Sequence, residues 1–240
     1  MKEIFKRVIG LLFPKVCPGC GNIIHEKELV CESCRKEVEI LKKDCCARCG
    51  KKLLTNTSLY CQTCKKRSRR FDEGVSVFRY QGILKKSIHQ FKYDNLRQFS
   101  DYYGTVAWEQ NREKLNVWNP ECIVPVPMFR GKEIRRGYNQ ATVFAKSLSK
   151  KSGIPVKENL LIRRKNTKPQ KGLTDEQRME NLKGAFAVDW KSVKGMTSVL
   201  LVDDIYTTGS TMDVCAGLLK KAGVKRVYFL CIATGKDYEA

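Results

Sequence analysis

The chain has 240 residues, 46 Lys and Arg against 25 Asp and Glu, and a formal net charge of +21. Its length suits two domains. No apolar run is long enough to span a bilayer, and without a G-x-x-x-x-G-K-[ST] sequence the chain is not a P-loop nucleotidase.

Met1 to Val16 reads as an amphipathic helix with Ile4, Val8, Leu11 and Leu12 on one side. The apolar stretch Val8 to Phe13 inside it is short for a signal peptide. Cysteines then follow in pairs, Cys17/Cys20, Cys31/Cys34, Cys46/Cys49 and Cys61/Cys64, each pair with a two-residue gap. That spacing points to two tetrahedral Cys₄ zinc sites. A disulfide framework needs an oxidising compartment, and nothing here sends the chain to one. Gly21 and Gly50 follow the first pair of each set and free the backbone to turn around a metal. Sequential and cross-braced pairings would use the same eight sulfurs, while Cys45 is not expected to be a ligand. Four protein ligands leave no open coordination position, so these sites are structural, and their binding energy folds a segment poor in large apolar residues. Each site would carry a formal charge of two minus, which brings the total to about +17.

Residues 1–70 hold 17 Lys/Arg against 7 Asp/Glu, and residues 71–240 hold 29 against 18. A basic zinc-bearing module is compatible with nucleic acid, and equally with a solvated basic surface. The polar cluster Lys65 to Arg70 suits a surface connection between domains. Gly74 to Tyr80 alternates as a strand, and Leu84, Ile88 and Phe91 then mark one helix face from which Lys85, Lys86 and Lys92 are displaced. Residues 96–115 look helical again. His89 has no evident partner and reads as a surface or packed histidine.

Cys122 to Pro127 is a strand, and a basic loop with Arg130, Lys132, Arg135 and Arg136 follows its carboxyl end. Arginines there could hold pyrophosphate through bidentate, charge-assisted contacts. Arg163 to Asn181 carries Arg163, Arg164, Lys165, Lys168, Gln170, Lys171 and Arg178 with almost no apolar content, which suits a mobile lid over a reactive centre. Val199 to Val202 suits a strand buried on both faces, with Asp203 and Asp204 at its C-terminal end. Thr207, Thr208, Gly209, Ser210 and Thr211 follow, then a helix in which Val214/Leu218 and Cys215/Leu219 stand four apart, Gly223 as a stop, and a strand from Arg226 to Ala233. Amides at such a helix start face outward and take a phosphate without a lysine, and a carboxylate pair beside it suits vicinal hydroxyls or a Mg²⁺ shell.

The Asp203–Thr211 run resembles the 5-phosphoribosyl-1-pyrophosphate (PRPP) motif of type I phosphoribosyltransferases. The resemblance implies that Asp203 and Asp204 hold the ribose 2- and 3-hydroxyls and that Thr207, Thr208, Gly209, Ser210 and Thr211 cradle the 5-phosphate. The cysteine pairs, the Phe71–Tyr93 segment, Pro125-Val126-Pro127, Arg136-Gly137-Tyr138-Asn139-Gln140, the Gln170/Arg178/Asn181 stretch and the acidic strand together resemble the ComF family of competence proteins. That similarity runs from Cys17 to about Ala233, and the basic loop is longer and more basic than in better-known phosphoribosyltransferases.

What it implies is an α/β fold, a phosphoribosyltransferase-like parallel sheet flanked by helices, with a small Cys-rich zinc-ribbon domain. Residues 1–70 would form the helix and double ribbon, and residues 71–240 the larger domain, with 71–118 as a hood or accessory segment. The expected ligands are two structural zinc ions and Mg²⁺ with PRPP. Arg130, Arg135, Arg136, Lys171 and Arg178 would serve pyrophosphate or the lid, and a cytoplasmic role in DNA uptake is implied. Two activities fit: phosphoribosyl transfer to an acceptor that no residue identifies, with Asp203 and Asp204 as its catalytic acids, or non-enzymatic binding of single-stranded DNA or a helicase partner with PRPP as ligand or regulator.

Overall fold

A computed structural model describes residues 14–53, 58–167 and 172–235, so the amphipathic helix expected at the N-terminus falls outside the described residues. Four parallel strands form the main sheet in the order β1 (Gly74–Arg79), β6 (Arg226–Thr234), β5 (Ser198–Tyr206), β2 (Cys122–Pro125). All-parallel pairing requires both faces to be covered, and β5 shows the consequence: Val199, Leu200, Leu201 and Val202 are each 0% exposed. Period-two alternation divides them. Leu200 and Val202 join Phe144, Leu148, Leu230 and Ile232 in one core, while Val199 and Leu201 join Cys215, Leu219, Val227 and Phe229 in the other.

The first core is closed by helices α3 (Gly82–Tyr93), α4 (Phe99–Trp118) and α6 (Gln140–Ser152). On the other face lies α9 (Ser210–Lys221), whose expected apolar pair Cys215 and Leu219 is fully buried. Beside it a small antiparallel sheet joins β3 (Leu161–Arg163) to β4 (Phe186–Val188), with the short helices α7 (Asp175–Asn181) and α8 (Trp190–Val193) flanking β4. Residues 71–118 therefore contribute an edge strand and two core helices. Among the described residues no helix is long and apolar enough to cross a membrane.

Two readings of local structure are corrected. The basic stretch after β2 is not a loop: Arg130–Arg136 forms helix α5, ended by Gly137 at φ 84°. Long basic side chains cost a helix little, and the one glycine in 130–136, Gly131, falls in its first turn. β5 also runs past the acids to Tyr206, because β6 stays alongside it as far as Thr234.

The cysteine-rich region is a structural repeat. In the first half Cys17 N donates to Asn22 O at 2.8 Å and Gly21 N to Cys17 O at 2.9 Å; in the second, Cys46 N donates to Lys51 O at 2.7 Å and Gly50 N to Cys46 O at 2.9 Å. Each half ends in a one-turn helix, α1 (Glu32–Glu37) or α2 (Gln62–Lys66), that begins directly after Cys31 or Cys61. The second half docks on the sheet edge. Gly74 N donates to Arg48 O at 2.8 Å, and a Cβ on Gly50 would fall 2.6 Å from the Val75 backbone, so only glycine permits this approach.

Candidate functional site

The eight expected cysteine ligands fall into two clusters, Cys17/Cys20/Cys31/Cys34 and Cys46/Cys49/Cys61/Cys64, and within each all sulfurs lie within 4.8 Å of one another. This pairing is sequential rather than cross-braced. Sulfur separations of 3.5 Å for Cys17–Cys31, 3.8 Å for Cys20–Cys31 and 3.7 Å for Cys49–Cys61 match the edge of about 3.8 Å for a tetrahedron with 2.3 Å zinc–sulfur bonds. The donor set therefore fits zinc. Cys45 faces away, with its thiol donating to Lys43 O at 3.3 Å.

Asp203 and Asp204 are adjacent on β5 but sit in unlike surroundings. Asp204 is buried, and its Oδ2 receives Lys92 Nζ at 2.6 Å and Gln140 Nε2 at 3.0 Å. Its Oδ1 accepts from Ile205 N at 2.6 Å. Burial alone would raise its pKa, but the Lys92 ammonium and the Gln140 amide outweigh that and hold the carboxyl below its usual range. Among the described residues the Asp203 side chain accepts only from the Asp204 amide, at 2.8 Å. Burial, reinforced by the charge of Asp204, pushes its pKa up to about 8. The pair is thus unequal, with Asp204 held toward its carboxylate form and Asp203 toward its protonated form.

Gly209 takes φ 83° and opens α9, whose first helical bond runs from Asp213 N to Gly209 O at 2.8 Å. The positive end of the helix thus meets the turn. Thr208 Oγ1 and Ser210 Oγ lie 3.0 Å apart, Thr207 is exposed, and Thr211 occupies the first turn. The structure thus brings every residue of the Asp203–Thr211 run to one end of the sheet.

The basic residues divide. Arg136 donates to Gln140 Oε1 at 2.5 Å and lies over the Tyr93 ring at 4.9 Å, so it reaches the acid pair through Gln140. Arg130 and Arg135 are exposed on α5. Arg178 lies in α7, whose Glu176 pairs with Arg67, and Lys171 falls outside the described residues together with Lys168 and Gln170. Within the polar stretch from Arg163, Arg163 closes β3 and stacks over Phe186 at 5.1 Å, and Thr174 caps α7 with a reciprocal bond to Gln177.

Sequence reasoning missed Lys92 and Gln140 as site residues. Lys92 was visible only as a lysine off the apolar face of its helix, and only tertiary packing brings α3 to β5. The neighbours of Gln140 are scaffold: the Tyr138 hydroxyl donates to Phe91 O, and Asn139 joins Val126 O at 3.0 Å to Ala141 N at 3.1 Å. His89 is exposed, its ring tilted at 46° against the Tyr93 ring 4.7 Å away, so it is a surface histidine.

A parallel sheet with an acid pair at a strand end, a glycine-opened helix start and two Cys₄ clusters defines a phosphoribosyltransferase-type domain that carries a double zinc ribbon. Consistent with this, residues 8–65 match the double zinc ribbon domain family and residues 138–240 the phosphoribosyl transferase domain family. The chain belongs to the ComF family of competence proteins. It is 32% identical over 216 residues to Competence protein F of Haemophilus influenzae, covering 88% of this chain and 93% of that protein. Competence protein ComFC of Bacillus subtilis is 27% identical over 213 residues, covering 84% and 82% respectively. DNA utilization protein YhgH of Escherichia coli K12 is 28% identical over 206 residues, covering 85% and 89%.

Proposed function

We propose that the Asp203–Thr211 site binds PRPP and serves phosphoribosyl transfer in DNA uptake. The observation that carries this is the unequal acid pair placed directly before a glycine-opened helix N-terminus, with no lysine in the loop. A ribose 5-phosphate needs a cradle of donors for its phosphate and neighbouring groups that accept from two vicinal hydroxyls, and this order of residues supplies both. Ionised Asp204 accepts from one hydroxyl, and Asp203 pairs with the other. Asp204, and Asp203 once the ion's charge displaces its proton, would hold the Mg²⁺ that accompanies PRPP, an ion that supplies charge neutralisation for the pyrophosphate.

In transfer, the bond between C1 and the pyrophosphate oxygen breaks, both electrons leave with pyrophosphate, and a nucleophile on the acceptor attacks C1. Positive charge that develops on the sugar ring is stabilised by nearby carboxylate, and the negative leaving group by arginine. Arg136, tied to the acid pair through Gln140, is the residue best supported for the second role, with Arg130, Arg135, Lys171 and Arg178 as further candidates. Lys92 neutralises Asp204 until ligand hydroxyls replace it. Asp203→Asn and Asp204→Asn each should reduce PRPP affinity at least about tenfold in calorimetry while zinc content stays unchanged; wild-type affinity in both would sink the assignment.

A second reading, single-stranded DNA binding, is favoured by one observation: Arg69, Arg70, Lys220 and Lys221 line a groove of 410 Å³ that contains no acidic residue. Turnover and DNA binding are compatible in one protein.

A further inference from the structure

The second cysteine cluster and the phosphate loop share two side chains. Arg69 follows that cluster in the chain, and its Nη2 donates to the Thr208 carbonyl at 2.8 Å. Its Nε is buried without a hydrogen-bond partner among the described residues, and Cys64 lies beside the same guanidinium. Tyr206, 2% exposed, is the last residue of β5. Its ring stacks on Phe229 at 4.8 Å and meets Phe71 edge-on at 6.4 Å, which fixes its direction. The hydroxyl at its tip reaches Cys49 on one side and lies under Gly209 on the other, where a Cβ would come within 2.3 Å of it. Arg70 N adds a bond to Asp213 Oδ1, at 2.7 Å, in the first turn of α9. The first cluster packs elsewhere: Cys17 and Cys34 join the core of Leu84 and Tyr102.

We propose that the second Cys₄ site is the foundation of the phosphate loop, with Arg69 and Tyr206 as positioning residues that carry its metal-held geometry to Thr208–Ser210. This rests on the PRPP reading of that loop. A metal at the second site gathers four buried sulfurs into one rigid, negatively charged unit, which orients the guanidinium and the phenol. Those groups in turn fix one carbonyl and one glycine of the turn. Zinc held there therefore favours ligand binding at the loop, and by reciprocity ligand at the loop favours zinc retention at that site.

Equilibrium competition for zinc with a chromogenic chelator tests this on the full chain, with and without PRPP and Mg²⁺. PRPP should tighten one of the two zinc ions by about tenfold and leave the other unchanged. Removing the exposed first-cluster sulfur, Cys20→Ser, should keep the effect. Arg69→Gln should hold both zinc ions yet lose it even at saturating PRPP, Arg69→Lys should restore part of it, and Tyr206→Phe should weaken it in a chain that needs no Arg69 substitution to fold. Calorimetric PRPP binding with no change in either zinc affinity, or a change that survives Arg69→Gln, overturns the coupling and leaves the PRPP reading standing. A wild-type chain that binds no PRPP overturns both.

Discussion

Asp203 and Asp204 are chemically identical neighbours, and their difference comes from which side chains the fold delivers. Lys92, whose side chain is 19% exposed, is brought by α3 to one oxygen of Asp204, and Gln140 is brought by α6 to the same oxygen. Among the described residues Asp203 receives no cation at hydrogen-bonding distance, so burial dominates and its folded pKa of about 8 stands far above its ordinary 3.8. Between those two values the native chain keeps a proton that the unfolded chain has lost. The stability from this group is therefore complete below about pH 4 and is lost as pH rises through 8. In protein free of PRPP and magnesium, Asp203→Asn should be more stable than wild type by about 2 kcal/mol at alkaline pH, a figure set below the full shift because the carboxyl keeps some solvent contact. The gain should shrink steadily toward acid in urea titrations. A gain independent of pH would mean that Asp203 is already ionised in the apo site. A stability gain joined to a loss of PRPP affinity is the pattern of a residue kept for function at a cost to the fold.

At the scale of elements, the junction from β5 to α9 depends on one glycine. Gly209 holds a left-handed φ of 83° directly over the Tyr206 hydroxyl, whereas Gly223 after the same helix holds φ 103° with open space, nothing within 4 Å, where a Cβ would stand. Gly223→Ala should cost only the left-handed backbone penalty, about 1–2 kcal/mol. Gly209→Ala adds a clash with a buried ring clamped by Phe71 and Phe229, and should cost about 1–3 kcal/mol beyond that while abolishing measurable PRPP binding. Urea unfolding of the two variants side by side checks the difference, and equal losses would show that Tyr206 yields easily. This junction was legible in the sequence because strand, acids, glycine and helix are consecutive, and so were the cysteine pairs, whose spacing is local. Helix α5 was not: a run of arginines and lysines has the same composition in a loop and on a helix surface. Lys92 and Gln140 were unreadable as partners because they meet Asp204 only after α3 and α6 pack on the sheet. Sequential zinc pairing was equally hidden, since both arrangements use the same cysteines and only the fold separates the clusters.

Across the whole molecule, positive charge gathers where the zinc-bearing half meets α9. The smaller groove there is lined by Arg69, Arg70, Gly217, Lys220 and Lys221. An adjoining groove of 560 Å³ adds Arg67 and Lys183 but also Glu176 and Glu180, so the acid-free groove is the better track for a phosphate backbone. Part of its charge is already engaged, because Lys220 pairs with Asp72 at 2.8 Å, and Arg70 lies across Gly217. Lys221 is therefore the cation best placed to meet a phosphate, with Lys220 and Arg70 behind it. A single strand that releases counterions at about three such contacts should lose affinity with salt at a log–log slope near −2, from about −0.7 per contact. Lys220→Ala/Lys221→Ala should reduce the steepness by about 1.4 while PRPP affinity stays at the wild-type level, since neither residue touches the phosphate loop. Fluorescence anisotropy with a labelled oligonucleotide across a potassium chloride series measures the slope. Binding that is flat with salt, or a slope unchanged in the double variant, would remove this groove as the DNA track; a parallel loss of PRPP affinity would show instead that the groove and the loop form one site.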